Sequence, residues 1–238
     1  MINDLKQKIV LAAYRAEEGH IASAFSILDI LWVLYKEILH PEDRFILSKG
    51  HASLALYAIL GLDMSDFCKY DSLLGGHPDR NKVPGVVAST GSLGHGLPMA
   101  AGVALARKIK GVPGRVFCLV GDGECNEGSV WESLLLASHH ELDNLSVIVD
   151  YNHSTDRSLR LDNIEAKFRS FDFGISRLDG HDHNMLGKFL SSSFSGSPIV
   201  IIADTIKGHG CKRMENDPAW HHRVPNEMEL AEIMMELS

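Results

Sequence analysis

Residues 116–152 constrain the fold more than any other stretch. Arg115-Val116-Phe117-Cys118-Leu119-Val120 is an apolar run of strand length that breaks at Gly121-Asp122-Gly123. Residues 124–127 lead into an amphipathic segment, 129–140, in which Val130, Leu134, Leu135 and Ala137 share one helical face. A second apolar run, Leu145-Ser146-Val147-Ile148-Val149-Asp150, ends at Tyr151-Asn152-His153. A strand, turn, helix, strand unit of this kind folds as a right-handed crossover between parallel strands, which puts Asp122 and Asn152 at the carboxyl ends of neighbouring strands. One carboxylate and one amide oxygen beside a backbone turn form a small hard-oxygen site of the kind magnesium accepts. The glycines on either side of Asp122 lack Cβ atoms, so a diphosphate can approach the main chain. Taken without Asn152, Gly-Asp-Gly after a strand reads equally well as a tight turn.

The remaining chain continues the alternation of strands and helices. Helical spacing runs over residues 4–18, through Leu5, Ile9, Val10, Ala13 and Ala16, and stops at Gly19. A second helix is predicted over 26–39, with His20 in the glycine-flanked loop between the two. Residues 43–51 read as a short strand running into Gly50-His51 at the head of an apolar helix, 52–60. A histidine there meets the positive end of the helix dipole, which favours its neutral form. Gly75-Gly76-His77-Pro78 lies in a loop, and Ser89-Thr90-Gly91-Ser92-Leu93-Gly94-His95-Gly96 leads into a helix over 97–110, whose start offers free N–H groups to an anion. Close packing of loop on helix explains the same glycines. Residues 168–178 read as a loop entering a strand, 179–182 as a turn before a helix over 183–192, and 198–204 as another buried strand. Residues 212–224 read as flexible and the segment from Pro225 as a last exposed helix. The whole is predicted to be one α/β domain, 1–238, a doubly wound, mostly parallel sheet with helices on both faces.

Two resemblances attach function to these motifs. Gly121-Asp122-Gly123 followed by Asn152 is similar to the diphosphate-anchoring motif of thiamine diphosphate enzymes, and implies that Asp122, Asn152 and the main-chain carbonyl of Ser154 hold Mg2+, or Ca2+ or Mn2+ in its place. "EEGHIASAFS", "DRFILSKGHAS", the "GSLGHG" segment and "MENDPAWHHRVPN" together resemble the N-terminal part of transketolases, in family order along the chain. That resemblance implies catalytic roles for His20, His51, His77 and His221, and cofactor contacts from Ser92, Leu93, Gly94, Gly121, Gly123, Glu124 and Asn152. The chain departs from the family at His95, His209 and His222, where glutamine, lysine and glycine are common. Imidazoles suit the chemistry, since sugar substrates are covered in hydroxyls that need binding and proton shuttling near neutral pH.

The resemblance also implies a partner. Full-length transketolases carry a pyrimidine-binding domain after this one, with a glutamate that promotes formation of the reactive cofactor. The chain therefore looks like the N-terminal subunit of a split transketolase, transferring a two-carbon ketol unit between sugar phosphates once joined to a pyrimidine-domain subunit. Glu127 matches a glutamate at the family's subunit contact, which implies self-association there and a two-plus-two heterotetramer. Alternatives are another thiamine diphosphate enzyme, such as a deoxyxylulose-phosphate synthase-like protein, or a catalytically silent binding subunit. Net charge of -8 disfavours nucleic acid as a partner, and no apolar run is long enough to span a membrane. Cys68, Cys118, Cys125 and Cys211 show no CxxC pairing, as expected of reduced thiols in a cytoplasmic protein.

Overall fold

The computed structural model describes residues 1–192 and 196–238. Five strands, β1 (Arg44–Leu47), β2 (Val116–Gly121), β3 (Leu145–Tyr151), β4 (Gly174–Asp179) and β5 (Ile199–Asp204), form one sheet in the order β1-β2-β3-β5-β4. Every pairing is parallel, so all five carboxyl ends lie along one edge. The 116–152 unit folds as expected, with Val116 opposite Leu145 and Gly121 opposite Asp150.

Alternate residues of each strand face opposite layers, because successive side chains in a strand point to opposite sides. Phe45, Leu47, Phe117, Leu119, Ile148, Ile201 and Ala203 pack into one core with α1 (Ile2–Ala16), α2 (Ile21–Val33), α3 (Ser53–Ile59), α7 (His183–Leu190) and α8 (Glu227–Glu236). Ile46, Val116, Cys118, Val120, Val147, Val149, Val200 and Ile202 pack into the other with α4 (Gly96–Lys110), α5 (Gly128–His139) and α6 (Ile164–Arg169). Both faces of the sheet are thus covered. The four cysteines are free thiols, three of them buried, and among the described residues no helix is long and apolar enough to cross a membrane.

The structure corrects four sequence expectations. α2 begins at Ile21 and not at residue 26, because Ile21 to Phe25 are all buried and show no polar face from which a helical period could be read. His20 is consequently the residue that caps α2, and the helix closes in a π-helical turn, Leu34–Ile38. Residues 164–169, ahead of β4, are helical where no helix was expected, with the Asn163 side chain accepting from the Ala166 N–H at 3.0 Å. The stretch 212–224 is pinned, since Trp220 is buried and Arg213 pairs with Glu229 and Glu232. α8 is not free on the surface, since it buries Ile233 and Glu229. Its start is a capping box, with Asn226 and Glu229 each accepting the other's backbone N–H.

Helix α4 supplies a test of the packing. A Cβ built on Gly96 would lie 2.4 Å from the Ser48 Oγ, whereas one on Gly102 in the same helix meets nothing within 4 Å. Gly96→Ala is expected to lower stability by about 1–3 kcal/mol through overpacking, and Gly102→Ala to raise it by up to about 1 kcal/mol through helix propensity. Urea midpoints of the two variants check this, and equal midpoints would refute the contact.

Candidate functional site

The carboxyl ends of β1, β2, β3 and β5 open into one cavity of about 1130 Å³. Its wall includes His20, His51, His77, His221, Leu93, Gly121, Asp122, Gly123, Glu124, Asn152 and Ser154, so eleven of the residues singled out in the sequence converge on one space. Ser92 and Gly94 stand apart from it. Ser92 is exposed and its hydroxyl meets the His95 ring at 3.2 Å, while the Gly94 N–H donates to Glu124 at 3.0 Å.

Beneath the cavity lies a buried polar network. Asp150, fully buried at the end of β3, accepts hydrogen bonds from Ser26 at 2.8 Å and the Asn152 amide at 3.0 Å, and from Lys49 and Thr205. The Lys49 ammonium also donates to the Ser23 carbonyl at 3.3 Å. Because the Asn152 amide gives its N–H to Asp150, its Oδ1 faces the other way, where it accepts from the Ser154 N–H at 3.1 Å and from the Ser154 hydroxyl. Asp122 opens the 3-10 turn after β2, and its carboxylate accepts from the Gly123 N–H at 2.8 Å and the Thr155 N–H at 3.5 Å. Burial, and after it the Asp150 carboxylate, holds the Asp122 carboxyl above the ordinary range.

These residues fit a hard divalent cation. Asp122 is a buried carboxylate that makes no ion pair among the described residues, and the Lys49 ammonium close by is committed to Asp150. A bound metal would supply the opposite charge, with the Asn152 Oδ1 beside it and the Ser154 carbonyl, which accepts no hydrogen bond among the described residues. The Ser154 hydroxyl would have to turn from Oδ1. A Cβ on Gly123 would meet nothing within 4 Å, so the backbone is bare where a diphosphate would lie.

At the expected anion site before and at the start of α4, two N–H groups are taken internally, Gly96 by the Ser48 hydroxyl at 3.1 Å and Gly94 by Glu124. Glu124 itself accepts from Ser48 at 2.6 Å and from the Gly121 N–H at 2.9 Å. Its carboxylate is a brace joining three segments. The glycines of 91–96 serve close packing, the second of the two explanations their sequence allowed.

The histidines form a cluster. The His20 ring centre lies 5.0 Å from His51, 5.4 Å from His221 and 4.5 Å from His222. Burial, then the neighbouring His222 and His221, pushes His20 down to about 4, and burial followed by Lys49 pushes His51 down to about 2. His221 is lowered by burial and by Lys207, whose ammonium donates to its Nδ1 at 2.8 Å and so leaves the ring proton on Nε2. Burial, and then Lys49, brings Lys207 down to about 8. Neutral imidazoles of this kind can both give and take a proton.

The loop carrying Lys207 is held from behind. The Ile206 N–H donates to His181 Nε2 at 2.9 Å, which fixes the proton of that ring on Nδ1, and Nδ1 donates to Asp29 of α2 at 2.9 Å. His209 stacks on His181 with ring centres 3.5 Å apart. Sequence reasoning missed Lys49, Asp150, Thr205 and Lys207. The available signal was a charged residue inside or directly beside an all-apolar strand, which burial obliges to find a partner.

The imidazole cluster sets a pH dependence. The folded chain refuses protons that unfolded histidines bind near ~6.5, so stability is complete above that value. It is lost as pH falls below it, down to the folded-state values of about 4 for His20 and about 2 for His51. The melting temperature is expected to fall between about pH 7 and pH 5, and less steeply in His51→Gln, which cannot titrate. Identical calorimetric slopes for the two proteins would contradict this.

Comparison with known proteins agrees with the geometry. The family model described as "Transketolase, thiamine diphosphate binding domain" matches residues 1–237. The chain is 38% identical over 247 residues to an apulose-4-phosphate transketolase subunit of Actinobacillus succinogenes, covering 94% of this chain and 90% of that protein. It is 32% identical to a 6-deoxy-6-sulfo-D-fructose transketolase subunit of a Clostridium species, covering 86% of this chain and 82% of that one. Among solved structures, the transketolase of Leishmania mexicana superposes with a TM-score of 0.90 at 26% identity, covering 99% of this chain and 40% of that chain. The match thus spans about two fifths of that longer protein.

Proposed function

The chain belongs to the transketolase family, as its thiamine diphosphate binding domain, and on that footing we propose that it is the cofactor-anchoring subunit of a two-chain enzyme that transfers a two-carbon ketol unit from a ketose phosphate to an aldose phosphate. The observation that carries the reading is the convergence of His20, His51, His77 and His221 on the same cavity as Asp122 and Asn152. Two of the relatives are themselves named as transketolase subunits, which supports a separate partner bearing the pyrimidine-binding half. Those relatives are named for different sugars, so the family's subunits differ in substrate.

Asp122, Asn152 and the Ser154 carbonyl would hold the divalent cation, Mg2+ by preference, beside the bare backbone of Gly123, which leaves room for the diphosphate. Thiamine diphosphate, when bound, supplies the carbon nucleophile and electron sink that no side chain here provides. The chain's own residues then bind hydroxyls and move protons. His20, His51 and His221 are neutral at working pH, and each can donate to one sugar oxygen or accept from another. Lys207 orients His221 by occupying its Nδ1. Self-association runs through Glu127, which directly precedes α5 and is half-buried. With two partner chains it completes a heterotetramer.

Two measurements test the reading. Purified chain with thiamine diphosphate and magnesium is expected to give no ketol transfer until a pyrimidine-domain subunit is added, and full turnover without one would overturn the two-chain scheme. Asp122→Ala and Asn152→Ala are each expected to weaken cofactor binding by roughly 10–100-fold or more with the fold intact. Calorimetry on the assembled complex reads this, and unchanged affinity in both would place the diphosphate elsewhere.

A further inference from the structure

Glu18, His20 and His222 meet beside the cavity, whose wall includes His20, and the geometry points to a second metal site there: a site for a divalent cation of the zinc class whose occupancy blocks turnover. Glu18 and His20 lie on either side of Gly19, ahead of α2, and His222 comes from the far end of the chain. A parallel bridge between His20 and Arg223 joins the two segments, so the backbones that bring the three side chains together are fixed to one another. His222 Nε2 and Glu18 Oε1 are 2.6 Å apart, the His222 and His20 rings stack at 4.5 Å with 25° between their planes, and one ligand atom from each of the three residues lies within 4.8 Å of the others.

The donor set decides which ion it suits. One carboxylate and two imidazoles are ligands of Zn2+, Cu2+ and Ni2+, whereas Mg2+ takes oxygen ligands such as those at Asp122 and Asn152. The two sites therefore sort metals by chemistry. A cation would replace the proton shared by Glu18 and His222 and take His20 as its third ligand. The needed adjustment falls on the outer side chains, since His222 is 53% exposed and Glu18 42% exposed. The fourth position is left to water, as in three-ligand zinc sites.

The consequence for turnover rests on the function proposed above, in which His20 serves the substrate. A ring ligated to metal is lost to the sugar hydroxyls, so the ion should compete with the donor. Binding is tested without any activity: ZnCl2 is titrated calorimetrically into the chain alone, in buffer containing magnesium and no cofactor. One site is expected, weakened at least about tenfold in both Glu18→Ala and His222→Gly, with circular dichroism confirming that both variants fold. An isotherm without a binding site, or one unmoved by either substitution, would overturn the assignment, the second outcome placing the ion elsewhere, as on Asp29, His181 and His209, whose ligand atoms also lie within 4.8 Å of one another. In the assembled two-chain enzyme, Zn2+ should raise KM for the donor and leave kcat, and His222→Gly should lose that sensitivity. Binding without inhibition would refute the blocking role, whereas an assembled complex that shows no turnover at all would count against the functional reading and leave the isotherm to decide the site.

Discussion

The buried pair of Lys49 and Asp150 is the interaction on which the site depends. Asp150 is 0% exposed and Lys49 2%, so both charges have been taken out of water. Such a pair is tolerated only when its geometry is good and the remaining lone pairs and protons are satisfied. Here they are, by Ser26 from α2, Thr205 from the end of β5, Asn152 from the end of β3 and the Ser23 carbonyl. Four segments distant in sequence are thereby locked at the carboxyl edge of the sheet. Removal of either partner alone would leave an uncompensated buried charge, at a cost of about 3–5 kcal/mol. The pair also decides a detail of chemistry, because Asp150 claims the amide N–H of Asn152 and so turns the amide oxygen the other way, toward Ser154.

A second consequence of burial is that three of the clustered imidazoles are held neutral. Desolvation is the main cause at His20, His51 and His221, aided by the neighbouring rings at His20 and by Lys49 and Lys207 at His51 and His221. The positive charge in this part of the site is carried by Lys49, paired with Asp150, and Lys207, which leaves the histidines as hydrogen-bonding groups. Division of labour between fixed cations and neutral rings is a feature of the site as a whole and of no single residue.

Much of this was legible in the sequence, for reasons that can be stated. The β2, α5, β3 unit was readable because its period switches from strand to helix and back at glycines. α2 was readable only in its second half, since a helix buried on all sides carries no amphipathic stripe. α6 is six residues long and too short to display a period. Asp122, His20, His51 and His77 declared themselves through neighbouring glycines, and Asn152 through its place at the end of the next strand. Lys49, Asp150 and Lys207 did not, because a lone charge in an apolar run acquires meaning only when the fold supplies its opposite. The loop before α4 was ambiguous for another reason: its glycines are equally suited to meeting a ligand and to meeting Ser48, and sequence spacing does not distinguish the two.

Glu124 gathers the Ser48 hydroxyl and the N–H groups of Gly94 and Gly121 onto one carboxylate, while Gly96 packs against Ser48 with no room for a Cβ. The wall beneath the cavity is in consequence preorganised. Its backbone has already lost its freedom during folding, so a ligand arriving there would freeze few additional rotors and would keep more of its contact energy as affinity. In that respect one internal acid sets how rigid the floor of the cavity is.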